Sequence, residues 1–141
     1  MLQVQEARLV DLVSHAERRL ARRIERVLES RELSLDQWRV LCCLAEGEGH
    51  PMSEIADYAM VPAPTLTKIV DRLIDRSLVY RRVDDADRRR ILVFLAARGR
   101  QVHRRLSAEV VREEQAIVEQ IGTDDTEGFL ALLDRIVGRL G

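Results

Sequence analysis

The chain has 141 residues and a formal net charge of −1, from 23 Lys plus Arg against 24 Asp plus Glu. This length fits one compact domain, and 46% hydrophobic residues suffice for a core. The sequence shows no run of about 18 apolar residues that would span a membrane, and its N-terminus has no secretory signal pattern. The adjacent residues Cys42 and Cys43 cannot form a disulfide framework. We therefore expect a soluble cytoplasmic protein with no membrane partner.

The first segment predicts a long helix from about Glu6 to Glu32, because its apolar residues recur at steps of three and four. The other faces of this helix carry Arg and Glu. A charged helix with one apolar stripe needs a partner, so the stripe from Leu9 to Leu28 favours self-association.

A second helix is predicted to open at Ser34, where Ser-x-x-Gln has the form of a capping box, and to end at Gly47. The segment 47–51 is predicted as a loop, and a short third helix follows over Ser53–Ala59. Two prolines then indicate a tight turn before a fourth helix over Ala63–Ser77.

The pattern changes to two strands, Leu78–Val83 and Ile91–Leu95, joined by the polar segment 84–90. These predict an antiparallel hairpin with a charged tip. A helix over Ala97–Ile121 and a final helix with an apolar stripe from Phe129 to Leu140 follow, separated by Gly122. The predicted fold class is mainly α with a small β-hairpin.

The near-zero net charge conceals an uneven distribution. Residues 62–105 hold 12 cations and 5 anions, whereas residues 1–61 hold 8 and 11 and residues 106–141 hold 3 and 8. The cations therefore concentrate on the fourth helix, the hairpin and the start of the next helix. Such a local excess of positive charge suits binding to a phosphate backbone. Alternatively, the run of charged residues forms only a solvent-exposed face, as many such runs do.

A helix, a tight turn, a second helix and a basic hairpin are the plan of a winged helix-turn-helix. In that plan the second helix of the pair enters a major groove and the hairpin forms the wing. The expected DNA contacts of the fourth helix are Pro64, Thr65, Thr67, Lys68 and Arg72. Those of the wing are Arg88, Arg89 and Arg90, because arginine suits the negative potential of a minor groove.

The segment 34–105 resembles the MarR family of bacterial winged-helix transcriptional regulators. The resemblance is carried by an ordered set of short matches: Asp36-Gln37-Trp38-Arg39-Val40-Leu41, Met52-Ser53-Glu54-Ile55-Ala56, Pro64-Thr65-Leu66-Thr67-Lys68-Ile69-Val70-Asp71-Arg72-Leu73, Leu78-Val79-Tyr80-Arg81 and Asp84-Asp85-Ala86-Asp87-Arg88-Arg89. No single match is specific to the family, but the order and the spacing of the whole set are specific. The helices on either side of this segment fit the family's dimerisation elements.

The resemblance implies a homodimer that binds pseudopalindromic double-stranded DNA and acts as a repressor. It divides the chain into an N-terminal dimerisation helix (1–33), a DNA-binding unit (34–96) and C-terminal dimerisation helices (97–141). It also matches Asp87 to the family's wing aspartate, which orients an arginine. The dimer interface is expected to use apolar residues of the first and last helices: Leu9, Leu12, Phe129, Leu132, Leu133, Ile136 and Leu140.

The sequence departs from the family pattern in three places. Pro62 replaces a capping Ser or Asn, Ser77 replaces a glycine after the fourth helix, and Ala96 replaces a capping Thr. The lost cap at Ala96 is typically worth about 1 kcal/mol. These departures affect local stability and remove no expected DNA contact.

Many relatives release DNA when a small phenolic or aromatic carboxylate binds beside the dimer helices. The residues that the resemblance places near such an effector pocket are His15, Arg18, Arg19, Trp38 and Cys42. Alternatively, Arg18 and Arg19 pair with acidic neighbours on the surface. We expect His50 and His103 to be solvated.

The cysteine pair allows a second alternative, an oxidant-sensing regulator. Adjacent helical side chains point about 100° apart, so a disulfide between Cys42 and Cys43 would be strained, and we favour core packing for both.

Catalytic and metal-binding motifs are missing from the sequence, so we predict no enzyme, no cofactor and no metal site. The remaining rival to a DNA-binding regulator is a winged-helix module whose basic face binds a protein.

Overall fold

The computed structural model describes residues 8–141. This part of the chain contains six helices and a small three-stranded sheet, in agreement with the predicted fold class. Their bounds are α1 Leu9–Glu29, α2 Leu35–Ala45, β1 His50–Pro51, α3 Met52–Ala59, α4 Ala63–Asp75, β2 Val79–Val83, β3 Ile91–Leu95, α5 Ala97–Ile121 and α6 Thr123–Leu140. The first two residues of the predicted first helix, 6 and 7, lie outside the described range.

The start of α2 confirms the predicted capping box. The Ser34 hydroxyl accepts a hydrogen bond from the Gln37 backbone N–H at 3.1 Å, and the Gln37 side chain accepts one from the Ser34 N–H at 3.0 Å. Two backbone donors that a helix start leaves free are thereby satisfied.

The sheet contains one strand more than the predicted hairpin. The expected loop over 47–51 is wrong at its end, because His50 and Pro51 pair antiparallel with Val93 and Leu92 of β3. The strand order is β1-β3-β2, so β1 is an edge strand, where a proline costs no ladder hydrogen bond. A strand of two residues is too short to show alternation in the sequence.

The end of α4 confirms that Ser77 adopts a conformation usually given to glycine. Its φ is +59°, and its N–H donates to the Ile74 carbonyl at 2.8 Å while the Leu78 N–H donates to Leu73 at 3.0 Å. This pair of bonds is a Schellman motif, which ends α4 at Asp75, two residues before the predicted end. Neither Pro62 nor Ala96 caps its helix with a side chain.

The core is built around α2, which packs against α1, α3, α4, α5 and β3. Because neighbours cover several of its sides, its buried residues exceed a single stripe: Trp38, Val40, Leu41, Cys43 and Leu44. Ile55 of α3, Leu66 of α4, Val93 of β3 and Leu106 of α5 complete the same cluster. This core holds α4 and the sheet in a fixed relation.

The helices at the two ends of the chain, α1 and α6, contain far fewer buried residues than α2. Leu28 is the one fully buried residue of α1, and α6 has none. Large apolar side chains on both helices are exposed, Leu140 to 83%. The Arg23 side chain ties α1 to α5 through an ion pair with Glu113 and a 2.7 Å hydrogen bond to Gln120. None of the helices described over 8–141 combines the length and the apolar character needed to cross a membrane.

Candidate nucleic-acid interface

Helix α4 separates its residues cleanly into two faces. Leu66, Ile69, Val70 and Leu73 are buried against the core. The five residues expected to contact DNA are all exposed: Pro64, Thr65, Thr67, Lys68 and Arg72. The structure therefore brings this predicted set together on one surface.

The hydroxyl group of one of the two threonines already forms a hydrogen bond within α4. The Thr67 hydroxyl donates to the Ala63 carbonyl of its own helix at 3.1 Å. The exposed hydroxyl of Thr65 and the exposed ammonium of Lys68 are further hydrogen-bonding groups of the first turns. Since Pro62 provides no cap, backbone N–H groups at this positive helix end are also open to an anion.

The hairpin tip between β2 and β3 is shaped by two aspartates. The Asp84 carboxylate accepts from the Ala86 N–H at 3.0 Å, and the Asp87 carboxylate accepts from the Arg89 N–H at 3.1 Å. The Asp84 N–H closes the loop by donating to the Arg90 carbonyl at 2.9 Å. Both carboxylates thus serve as local turn formers.

The arginines of this tip point into solvent. Arg88, Arg89 and Arg90 are exposed, and the Arg89 side chain is exposed to 93%. The Arg89 Nε also lies 3.3 Å from the Asp87 carboxylate, the pairing that the resemblance implies for this aspartate. The tip therefore presents three guanidinium groups to solvent.

Three side-chain contacts that involve the sheet were not predicted from the sequence. Arg81 of β2 forms an ion pair with Asp71 on the exposed side of α4, and so connects the helix to the wing. Tyr80 stacks on Phe94 with ring centroids 5.2 Å apart, and the Arg82 guanidinium lies 5.9 Å from the Phe94 ring. The available signal was the two-residue spacing of Tyr80 and Arg82, which places both on one face of a strand.

Two histidines differ from the expected solvated state. His50 contacts the Glu54 carboxylate at 2.7 Å and the Glu46 carbonyl oxygen. Partial burial lowers the pKa of His50, but these hydrogen bonds and charges outweigh it and raise the pKa overall. His103 is half-buried and stacks on Trp38 at 5.1 Å, and burial lowers its pKa.

The residues expected around an effector pocket occupy different environments within one chain. His15, Arg18 and Arg19 are exposed on α1, Trp38 is 6% exposed in the core, and Cys42 is half-buried. A groove of about 420 Å³ between α1 and α2 includes Arg18 and none of the other four.

Within residues 8–141, no three His, Cys, Asp or Glu side chains come together as metal ligands would.

Both cysteines lie in surroundings that oppose ionisation. Burial raises the pKa of Cys42 to about 12, and Cys43, Glu46 and Glu114 add to this effect. Burial, followed by Glu54 and Glu46, also raises the pKa of Cys43. Because the thiolate is the reactive form, these environments favour the packing role.

We expect iodoacetamide to label the native protein slowly at pH 7. With a pKa of about 12, roughly one Cys42 in 10⁵ is a thiolate at that pH. The labelling rate should rise about tenfold per pH unit while the fold persists. Mass spectrometry of native and urea-unfolded protein measures both rates, since unfolded cysteine has a pKa of about 8.5. Equal rates in the two states at pH 7 would contradict this assignment.

Comparisons with known proteins agree with this architecture. The sequence profile of the MarR family matches residues 33–91. FarR of Neisseria gonorrhoeae, an HTH-type transcriptional regulator, is 30% identical over 98 residues, which are 70% of this chain and 67% of that protein. YwoH of Bacillus subtilis, an uncharacterized HTH-type transcriptional regulator, is 28% identical over 121 residues, 86% of this chain and 88% of its own.

Among solved structures, the transcriptional repressor CouR bound to a 23-mer DNA duplex is 26% identical to this chain. It superimposes with a TM-score of 0.86 and covers 97% of this chain and 99% of its own. The profile match falls on the helix-turn-helix and most of the wing, and the structural likeness extends over the flanking helices. This chain is a transcriptional regulator that belongs to the MarR family.

Proposed function

We propose that the protein is a repressor that binds pseudopalindromic duplex DNA as a homodimer, with α4 in the major groove and the wing in the minor groove. The observation that carries this proposal is the exposed basic surface formed by α4 and the hairpin tip. The likeness to CouR, a repressor bound to DNA, supports the same partner. The DNA-binding unit spans 34–96 and the dimerisation elements span 1–33 and 97–141.

The unpartnered apolar side chains of α1 and α6 support the dimer. Leu9, Leu12, Phe129, Leu132 and Leu140 are exposed within one chain, and Leu133 and Ile136 are half-buried. Exposed apolar side chains concentrated on terminal helices are typical of an interface. A two-fold dimer would bury both helices and place two copies of α4 at a fixed spacing, as a pseudopalindrome requires.

The effector of this dimer is a small aromatic or phenolic carboxylate that releases DNA. Of the five residues expected around its pocket, Arg18 and Arg19 would hold the carboxylate, and His15, Trp38 and Cys42 would lie beside it. Support comes from the exposure of both arginines on α1 and from the groove of about 420 Å³ between α1 and α2, which Arg18 lines.

Replacing Arg89 with Ala should weaken duplex binding about tenfold and reduce the salt dependence of binding. Each neutralised phosphate contributes about −0.9 to the slope of log K against log salt concentration, so the slope should become shallower by about one. Fluorescence anisotropy at several salt concentrations, with the duplex upstream of the protein's own gene, measures both quantities.

Arg26→Ala is the matched control, because Arg26 is an exposed arginine on α1 outside the basic segment. It should leave affinity and slope unchanged. A wild-type slope near zero would favour the rival, a basic face that binds a protein. An unchanged slope for Arg89→Ala alone would show that the wing does not contact phosphate.

A further inference from the structure

A cleft of about 530 Å³ opens where the end of α1, the end of α4 and the first turns of α5 meet. Its charged lining consists of Arg31, Arg76, Arg98 and Arg105 with Glu29 and Glu32. Four guanidinium groups against two carboxylates give this concave surface a positive balance. Its volume lies within the range of small-molecule sites.

One wall of the cleft is fixed by Arg76. Its Nη1 donates to the Glu32 carbonyl and its Nη2 to the Arg31 carbonyl, both at 2.8 Å. These bonds satisfy carbonyls that follow the C-terminus of α1 and hold the backbone of Arg31 against α4. Two hydrogen bonds from Arg76 therefore fix the turn after α1 that forms this wall of the cleft.

The opposite wall is one face of α5. Arg98, Gln101, Val102 and Arg105 follow the spacing of three and four residues that aligns side chains on a helix. Over residues 8–141, no carboxylate lies within 4 Å of the guanidinium nitrogens of Arg31, Arg98 or Arg105. Because no side chain caps the start of α5, its positive end adds to the local potential.

We propose that this cleft binds a small organic anion that carries phosphate or carboxylate groups. Arg31, Arg98 and Arg105 supply forked donors that match such groups, and Gln101 supplies a neutral one. The apolar side chains of Leu78 and Val102 also line the cleft and leave room for a short carbon skeleton.

None of the residues that line the cleft is among the DNA contacts named above on α4 and the hairpin tip. Arg76 follows the C-terminus of α4, about 16 Å along the axis from Thr65 at a rise of 1.5 Å per residue. None of the cleft residues belongs to the proposed effector pocket around Trp38. A concave site at the far end of α4 suits a small molecule better than a DNA backbone, and its anion binding does not depend on the proposed function.

The test is calorimetric titration of pyrophosphate and, separately, of citrate into the full-length protein without DNA, at constant ionic strength set with chloride. The double variant Arg98→Gln/Arg105→Gln should bind the preferred anion at least about tenfold more weakly, because two charge-assisted contacts are lost. Arg31→Gln alone should show a smaller loss in the same direction, and it guards against a folding defect in the double variant. Whichever probe binds more tightly assigns the anion class.

Arg100→Gln/Arg104→Gln is the matched control. Both residues are exposed on α5, and neither lines the cleft. The proposal is overturned if neither probe binds the wild type, or if the control loses as much affinity as the cleft variant. It is also overturned if the cleft variant keeps its anion affinity and loses DNA affinity, since these arginines would then serve the DNA backbone.

Discussion

Replacing Leu132 with Asp is expected to convert the protein to monomers and to weaken duplex binding by at least about 100-fold. Leu132 is 45% exposed on α6, a helix without a fully buried residue, so a carboxylate there is solvated in one chain. In the proposed dimer the same carboxylate would be buried without a partner, at a cost of several kcal/mol. Leu133 is half-buried within the chain, and its substitution would also disturb the monomer.

The loss of DNA affinity follows from the loss of linkage between two half-sites. When one α4 is bound, a stable dimer holds the second at a high effective concentration, and a monomer loses this advantage. Analytical ultracentrifugation measures the mass, and titrations of full and half operators measure the affinities. Thr123→Asp adds the same charge at an exposed polar position of α6 and should leave both unchanged. A Leu132→Asp protein that remains a dimer would exclude α6 from the interface.

Replacing Gly99 with Ala is expected to lower the free energy of unfolding by at least about 2 kcal/mol. A Cβ atom at this position would lie 2.0 Å from the Leu78 carbonyl oxygen and 3.1 Å from the Leu95 Cδ2. That carbonyl already accepts the Ala96 N–H at 3.0 Å, so it cannot withdraw without weakening this bond. The first turn of α5 must therefore move away from the start of β2.

Gly128→Ala is the control for this variant. Gly128 lies within α6, and a Cβ there meets no atom within 4 Å, so alanine should be neutral or stabilise the helix by up to about 1 kcal/mol. Urea unfolding followed by circular dichroism compares the two. Equal stabilities would show that the contact between α5 and Leu78 relaxes freely.

Most elements of this fold were predictable because their signals are local. The capping box at Ser34, the turn at Pro62 and the break at Gly122 act within a few residues of the chain. The candidate DNA surface was also predictable, since the amphipathic spacing of α4 separates Lys68 and Arg72 from Leu66 and Ile69. The charge excess over 62–105 is a property of composition by segment and needs no coordinates.

The sequence alone determined the order of the six helices and of the two hairpin strands, the polar and apolar faces of α4, and the cancellation of a basic centre by acidic flanks. The tertiary structure decided what depends on residues far apart in the chain. Examples are the pairing of β1 with β3, the stacking of Trp38 on His103 and the hydrogen bonds of Arg76 to the turn after α1. The physical reason is that the sequence shows the spacing of side chains along one element, whereas these contacts require the packing of the core around α2 to bring separate elements together.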